Sequence, residues 1–254
     1  MMTLEDDKQS IIMSKNLFAF VHVLLAIAAG YAQNSYIPYK SFDGEHKNEV
    51  SGYFMGGDNV VSDAFGGIEA SYTRHLTPRW HVGGDAQIQA WKRLYSFDVR
   101  GGYRLPVKWG NLYFDGKGML NRYNRWGFTE LIFNVSATWE SAYVDLRIGE
   151  SLIHYHTNGR FGVGYGYTEP LTLTFGFGVN IRHRNNPWNL GLFIRNYDDF
   201  YYENWNINWG IRWYARVKSQ WHLFGEFNVR PAGSMSQLAS RYEGSAKLGL
   251  KYKW

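Results

Sequence analysis

The sequence predicts an all-β fold, a transmembrane antiparallel up-and-down β-barrel of 12 strands, with 10 as the alternative count. Three observations carry this. Apolar and polar residues alternate with period two along stretches of about 10 to 13 residues, long enough for tilted strands to cross a bilayer. Aromatic residues gather at the ends of the apolar stripes. Connections alternate between tight turns and longer polar or Gly-rich loops.

Composition agrees. Of 254 residues, 45% are hydrophobic and 18% aromatic, with 11 Trp, 19 Tyr, 16 Phe and 28 Gly. Aromatics favour strands, and Gly serves turns and close backbone approach. The chain is too polar for a bundle of membrane helices, and its 6 Pro exclude a Pro-rich disordered polymer. With no Cys, disulfides, thiolate-ligated zinc and a Cys nucleophile are impossible. The net charge of +5 is spread along the chain without a block of consecutive Lys or Arg, which argues against nucleic acid as a partner.

The first element is an export signal over residues 1–32. Lys15 precedes an apolar run from Leu17 to Ala29, and Gly30-Tyr31-Ala32 supplies a small-x-small cleavage site. The run is shorter than the roughly 20 residues a membrane helix needs. Glu5-Asp6-Asp7 fits a signal poorly, so Met13 competes with Met1 as the start. The mature chain then begins at Gln33. Residues 33–47 are expected to form a periplasmic tail or a plug, and residues 48–254 the barrel.

Strands are expected at 48–56, 64–76, 80–91, 96–105, 110–121, 128–139, 142–153, 170–184, 188–197, 204–217, 220–230 and 242–254. Four show the alternation with clarity. Trp80, Val82, Gly84, Ala86 and Ile88 oppose His81, Gly83, Asp85, Gln87 and Gln89. Tyr95, Phe97, Val99 and Tyr103 oppose Ser96, Asp98, Arg100 and Arg104. Leu171 to Ile181 and Trp205 to Val217 repeat the pattern. Tight turns fall at 77–79, 106–109, 140–141, 185–187 and 218–220. Loops fall near 57–63, 92–95, 122–127, 154–169, 198–203 and 231–241.

The last strand places Ala246, Leu248, Leu250, Tyr252 and Trp254 on one apolar face that ends on a C-terminal aromatic. With the signal and the turn alternation, this resembles the outer-membrane β-barrel proteins of Gram-negative bacteria. The resemblance covers the chain from about residue 48 onward and is to the class, not to one family with a known substrate. It implies residence in the bacterial outer membrane among phospholipid and lipopolysaccharide. It also implies delivery to the barrel-assembly machinery, with Leu250, Tyr252 and Trp254 as the assembly signal.

If the apolar stripes face lipid, the polar stripes face the lumen. The pore-lining candidates are Asp85, Asp98, Arg100, Arg104, Asp115, Lys117, Glu130, Asp145, Arg147, Arg182, Arg212, Arg216, Glu226 and Arg230, with Lys247 and Lys251 beside them. Asp98 with Arg100, Asp145 with Arg147, and Glu226 with Arg230 share faces and are expected as ion-pair or network partners. An excess of Arg and Lys would favour anions. The same groups also suit a salt-bridge network that fills a narrow barrel.

One constellation suggests chemistry. Ser151, His154, His156 and Asn158 lie near the outer rim, where some 12-stranded outer-membrane phospholipases carry a Ser-His-Asn relay. The odd spacing puts Ser151 and His154 on opposite strand faces unless a bulge intervenes. His154 and His156 can pair on a metal, yet no third ligand is near. Asp198-Asp199-Phe200-Tyr201-Tyr202-Glu203 offers oxygens to calcium but reads better as an outer loop. The Gly159–Gly166 run lacks the strand-then-helix context of a dinucleotide site, and Trp205 and Trp209 fall on the lipid face rather than in a sugar site. No catalytic, cofactor or metal residue is assigned. The function expected is a narrow pore for small polar solutes. A non-conducting structural or surface-interaction barrel and a rim lipid or lipopolysaccharide hydrolase are the alternatives.

Overall fold

The computed structural model describes residues 46–59, 63–89, 94–123, 128–157, 166–183, 186–198, 201–202, 207–231 and 242–254. The expected export signal, residues 33–45, most of the Gly159–Gly166 run and Trp205 lie outside them. So do parts of the outer loops.

Twelve antiparallel strands close into one barrel. They are β1 (Asn48–Asn59), β2 (Asp63–His75), β3 (Trp80–Gln89), β4 (Leu94–Val107), β5 (Gly110–Tyr123) and β6 (Phe128–Glu140). Then follow β7 (Val144–Thr157), β8 (Gly166–Asn180), β9 (Trp188–Arg195), β12 (Asn208–Arg216), β13 (Trp221–Pro231) and β14 (Tyr242–Lys253). Between β9 and β12 a small ribbon pairs β10 (Tyr197–Asp198) with β11 (Tyr201–Tyr202), inside the segment expected as a loop. Each barrel strand pairs with its neighbours in sequence, and β1 pairs with β14 from Glu49 opposite Lys253 to Asp58 opposite Gly244. Closure gives every barrel strand two neighbours, as hydrocarbon demands, although β8 pairs with β9 only from Gly176 to Asn180.

The outer surface is apolar. Phe54, Ile68, Phe97, Val99, Phe133, Ile148, Leu173, Leu192 and Leu248 are all more than half exposed. A patch this continuous would aggregate in water and instead marks a lipid belt. Inward residues alternate with these and are buried, so the period-two reading of the faces holds along the described strands.

Turn chemistry fixes two details. Lys108 and Trp109 form the tight turn between β4 and β5, and Gly110 follows with φ of 149°. A Cβ there would be strained and would strike the Glu140 carbonyl oxygen of β6. Between β7 and β8 the register shifts: Ser151 faces Thr172, but Ile153 faces Glu169. Pro170 sits at this irregularity, and a residue without an N–H breaks a ladder at a bulge rather than inside one.

The short-turn end carries an aromatic band across the closure seam. Trp221 and Tyr252 have ring centroids 4.6 Å apart, Tyr252 and Trp254 5.7 Å, and Tyr72 and Trp254 6.3 Å. Backbone bonds between Asn48 and Trp254 finish the seam. Short turns mark the periplasmic end of such barrels.

Candidate functional site

The inner wall is the candidate site. Period-two alternation with polar residues on one face puts a charged stripe on nearly every strand, and closure turns those stripes toward each other. Among the described residues, eight acidic and seven basic side chains are buried there. Within this buried set acids and bases are nearly balanced, without the excess of Arg and Lys expected for the whole inner wall.

The densest group lies on β2 to β5. Asp85 and Asp98 stand directly opposite each other, as do Arg100 and Lys117. Like charges opposed across a ladder repel, so the cations must compensate them. Arg100 pairs with Asp85 and lies 3.5 Å from Asp98, while Lys117 Nζ lies 2.9 Å from Asp98. Arg100 Nη2 also donates to Ser71 Oγ at 2.7 Å and to Thr73 Oγ1 at 3.1 Å. The side chains of Arg100 and Asp98 have no exposure, so this quartet is packed away from solvent on its stretch of the wall.

A second group crosses the opposite wall. Arg212 on β12 reaches over β9 and β8 to pair with Asp145 on β7, and its Nη2 also donates to Asn180 Oδ1 at 3.3 Å. It can do so because the wall beneath is glycine. A Cβ at Gly191 would lie 3.1 Å from Arg212 Nε, and one at Gly178 would strike its guanidinium. Arg195 on β9 reaches across β12 to Glu226 on β13, with Nη2 2.6 Å from Oε1. Asp145 is 14% exposed and Arg212 8%, so water reaches this pair more than it reaches the quartet.

Toward the periplasmic end, Glu49 on β1 takes Lys251 at 3.1 Å and Lys253 at 3.7 Å. The rings of His75 and His81 lie 5.8 Å apart at a tilt of 55°, and His222 Nδ1 contacts the Tyr214 hydroxyl. The outer half is mostly neutral or acidic. Gln87 donates to Glu69 at 3.1 Å, and Asn121 to Glu130 at 3.0 Å. Apolar groups also intrude: Met119, Ile132 and Ile153 form a buried inward cluster on β5, β6 and β7.

The candidates distribute as follows. Asp85, Asp98, Arg100, Asp115, Lys117, Glu130, Asp145, Arg147, Arg212 and Glu226 lie on the inner wall. Arg104 is partly buried and donates to Asn111 at 2.8 Å. Arg147 donates to Asn134 at 2.8 Å, and Lys247 lies over the Tyr53 ring at 5.3 Å. One placement is corrected. Arg182 lies beyond the end of β8, exposed, with its guanidinium 3.3 Å from the Trp188 ring centroid. Arg216 ends β12 opposite the buried His222, on the inward parity but exposed at the periplasmic mouth. The Arg230 side chain is outside the described ones. Of the pairs expected two residues apart, Asp98 with Arg100 forms. Glu49, Glu69, Glu140, Arg195 and Lys253 are buried inner-wall charges absent from the candidates. Their parity within the expected strands was the available signal for Glu49, Glu69, Arg195 and Lys253.

The serine–histidine relay does not form. The bulge falls on β8, so β7 keeps its parity: Ser151 is buried inward, and His154 and His156 are exposed on the outside. Ser151 Oγ accepts a hydrogen bond from Asn134 at 2.7 Å.

No protein-family model and no curated protein matches the chain. Solved structures do. The KdgM porin in complex with disordered oligogalacturonate aligns with a TM-score of 0.53 at 8% identity, over 81% of this chain and 99% of that one. The NanC porin aligns at 0.52 and 11% identity, over 82% and 100%. An outer-membrane channel from Pseudomonas putida F1 aligns at 0.51 and 11%, over 85% and 98%. The likeness is one of fold, and the fold is that of the bacterial outer-membrane β-barrels.

Proposed function

We propose that the protein is a narrow outer-membrane channel for small polar solutes rather than a lipid hydrolase. The observation that carries this is the inner wall itself, charged on both sides of the barrel. Buried ion pairs stabilise a fold weakly, and well-packed apolar residues of similar volume often serve better. A barrel needed only as a scaffold would gain by filling its lumen with them. A wall of polar groups and paired charges instead lowers the cost of bringing a hydrated solute through. The path follows the glycine wall of β8 and β9, where the pair most accessible to water, Arg212 with Asp145, narrows it.

The zero exposure of Arg100 and Asp98 favours the second reading, a closed barrel with a structural role. Single-channel recording of the purified mature barrel in a planar bilayer separates the two. Reproducible steps, enlarged in Arg212→Ala, support the channel. Silence from protein shown to be folded and inserted refutes it in favour of the closed barrel.

A further inference from the structure

The periplasmic end of the barrel is cationic in a way that the lumen does not explain. Lys47, Arg74, Arg79, Lys108, Arg182, Arg216 and Lys218 are all exposed there. Among the described residues no Asp or Glu side chain is exposed at this end, and none of these seven cations makes an ion pair. The carboxylates nearby, Glu49, Glu140 and Asp145, face inward and serve the lumen.

The cations are placed beside rings. Four of the five short turns carry an Arg or Lys: Arg79, Lys108, Arg182 and Lys218. Arg79 Nη1 donates to the Tyr103 hydroxyl at 3.3 Å, and Tyr103 packs on Trp80 at 4.8 Å. Lys108 Nζ lies 5.3 Å from the Trp109 ring centroid, and Arg182 lies over Trp188. In the fifth turn Tyr143 meets His183 of the adjacent turn, 5.7 Å away. Interfacial rings settle at the level of lipid headgroups, and a cation held against such a ring sits at phosphate depth. Cations at that depth that make no ion pair and have no exposed Asp or Glu side chain beside them attract anionic headgroups.

We infer that the periplasmic rim is a binding surface for anionic phospholipid headgroups, held by Arg79, Lys108 and Arg182 against their neighbouring rings. This needs only a barrel in lipid and is independent of conduction.

The test uses the mature barrel in bilayers of phosphatidylcholine with brominated lipid as quencher of tryptophan fluorescence. Brominated phosphatidylglycerol is expected to quench with a roughly fivefold preference over brominated phosphatidylcholine, the ratio about one cation at an anionic surface gives. The preference should fall as salt rises. The triple variant Arg79→Gln, Lys108→Gln, Arg182→Gln should lose it while keeping the unboiled electrophoretic mobility of a folded barrel. If that variant fails to fold, Arg182→Gln alone should lower the preference measurably. Equal quenching by both lipids overturns the inference, as does a preference that survives in a folded triple variant. Equal quenching together with tight capture of poly-L-glutamate would instead assign the rim to an acidic protein.

Discussion

Replacing Arg100 by Met should destabilise the barrel more than any other single loss of charge from its wall. The guanidinium has no exposure and serves Asp85, Asp98, Ser71 and Thr73 at once. Without it, of the quartet's two cations only Lys117 remains against the two carboxylates that face each other across β3 and β4. Breaking a buried pair by removing one partner costs about 3–5 kcal/mol. That is roughly two to three and a half powers of ten in the folding equilibrium. The measurement is urea-dependent folding into lipid vesicles, followed by tryptophan fluorescence and by the mobility of unboiled samples in electrophoresis. Asp98→Asn in the Arg100→Met background should recover part of the loss, because one of the uncompensated charges is then gone. A double-mutant cycle gives the coupling directly. A loss below about 1 kcal/mol in Arg100→Met would refute the reasoning, since surface-like pairs behave that way. So would additivity of the two substitutions.

Gly178→Ala should mimic Arg212→Ala in single-channel recordings. The added Cβ would stand 2.7 and 2.8 Å from the Asp145 carboxylate oxygens and strike the Arg212 guanidinium. Both obstacles are the ends of flexible side chains, so the pair should part before the backbone moves, and an unchanged conductance would count against the path along this wall. At the seam, Trp254→Ala removes ring contacts with Tyr252 and Tyr72. At about 0.5–1.5 kcal/mol per aromatic pair, roughly 1–3 kcal/mol of folding stability should be lost. Folding in cells should suffer as well if Leu250, Tyr252 and Trp254 are read by the assembly machinery, and the yield of heat-modifiable barrel measures it.

Strands and faces were legible because lipid and lumen impose opposite demands on successive residues. The pattern from Trp80 to Gln89 admits one register, since a slip by one would put Asp85 in hydrocarbon. The same regularity misled at one strand end. Arg182 continues the polar parity of its strand but stands where the wall stops, and periodicity has no mark for that point. Pairings two and three strands apart were not legible at all. Arg212 finds Asp145 only because Gly178 and Gly191 leave the wall bare, which requires knowing the register of β7, β8, β9 and β12 together. Local sequence shows only partners along one strand, such as Asp98 with Arg100. The apolar intrusion of Met119, Ile132 and Ile153 was also hidden, since it breaks the rule that the inner stripe is polar.

The wall divides its charges by access to water, and this division decides what each can do. In a closed barrel the backbone ladder satisfies its own polar groups, so inward side chains are free to be ionised provided each finds a partner. The partners come at two distances. In the quartet, directly opposed and diagonal neighbours lock one another within adjacent strands, and neither the Arg100 nor the Asp98 side chain meets solvent. Across the glycine wall, a single long side chain spans two strands to one carboxylate, and both ends are partly wet. The first arrangement opens only at the expense of folding. The second can part, because water can replace the partner of either charge. In the channel proposed above, the pair that can open is where solutes would be discriminated. Arg100 and Arg212 should therefore fail in different ways when neutralised. The first should lose stability and leave conductance unchanged in whatever folds, and the second should change conductance at a smaller cost in stability. If both variants show the same mixture of effects, the division is wrong and the lumen acts as one network.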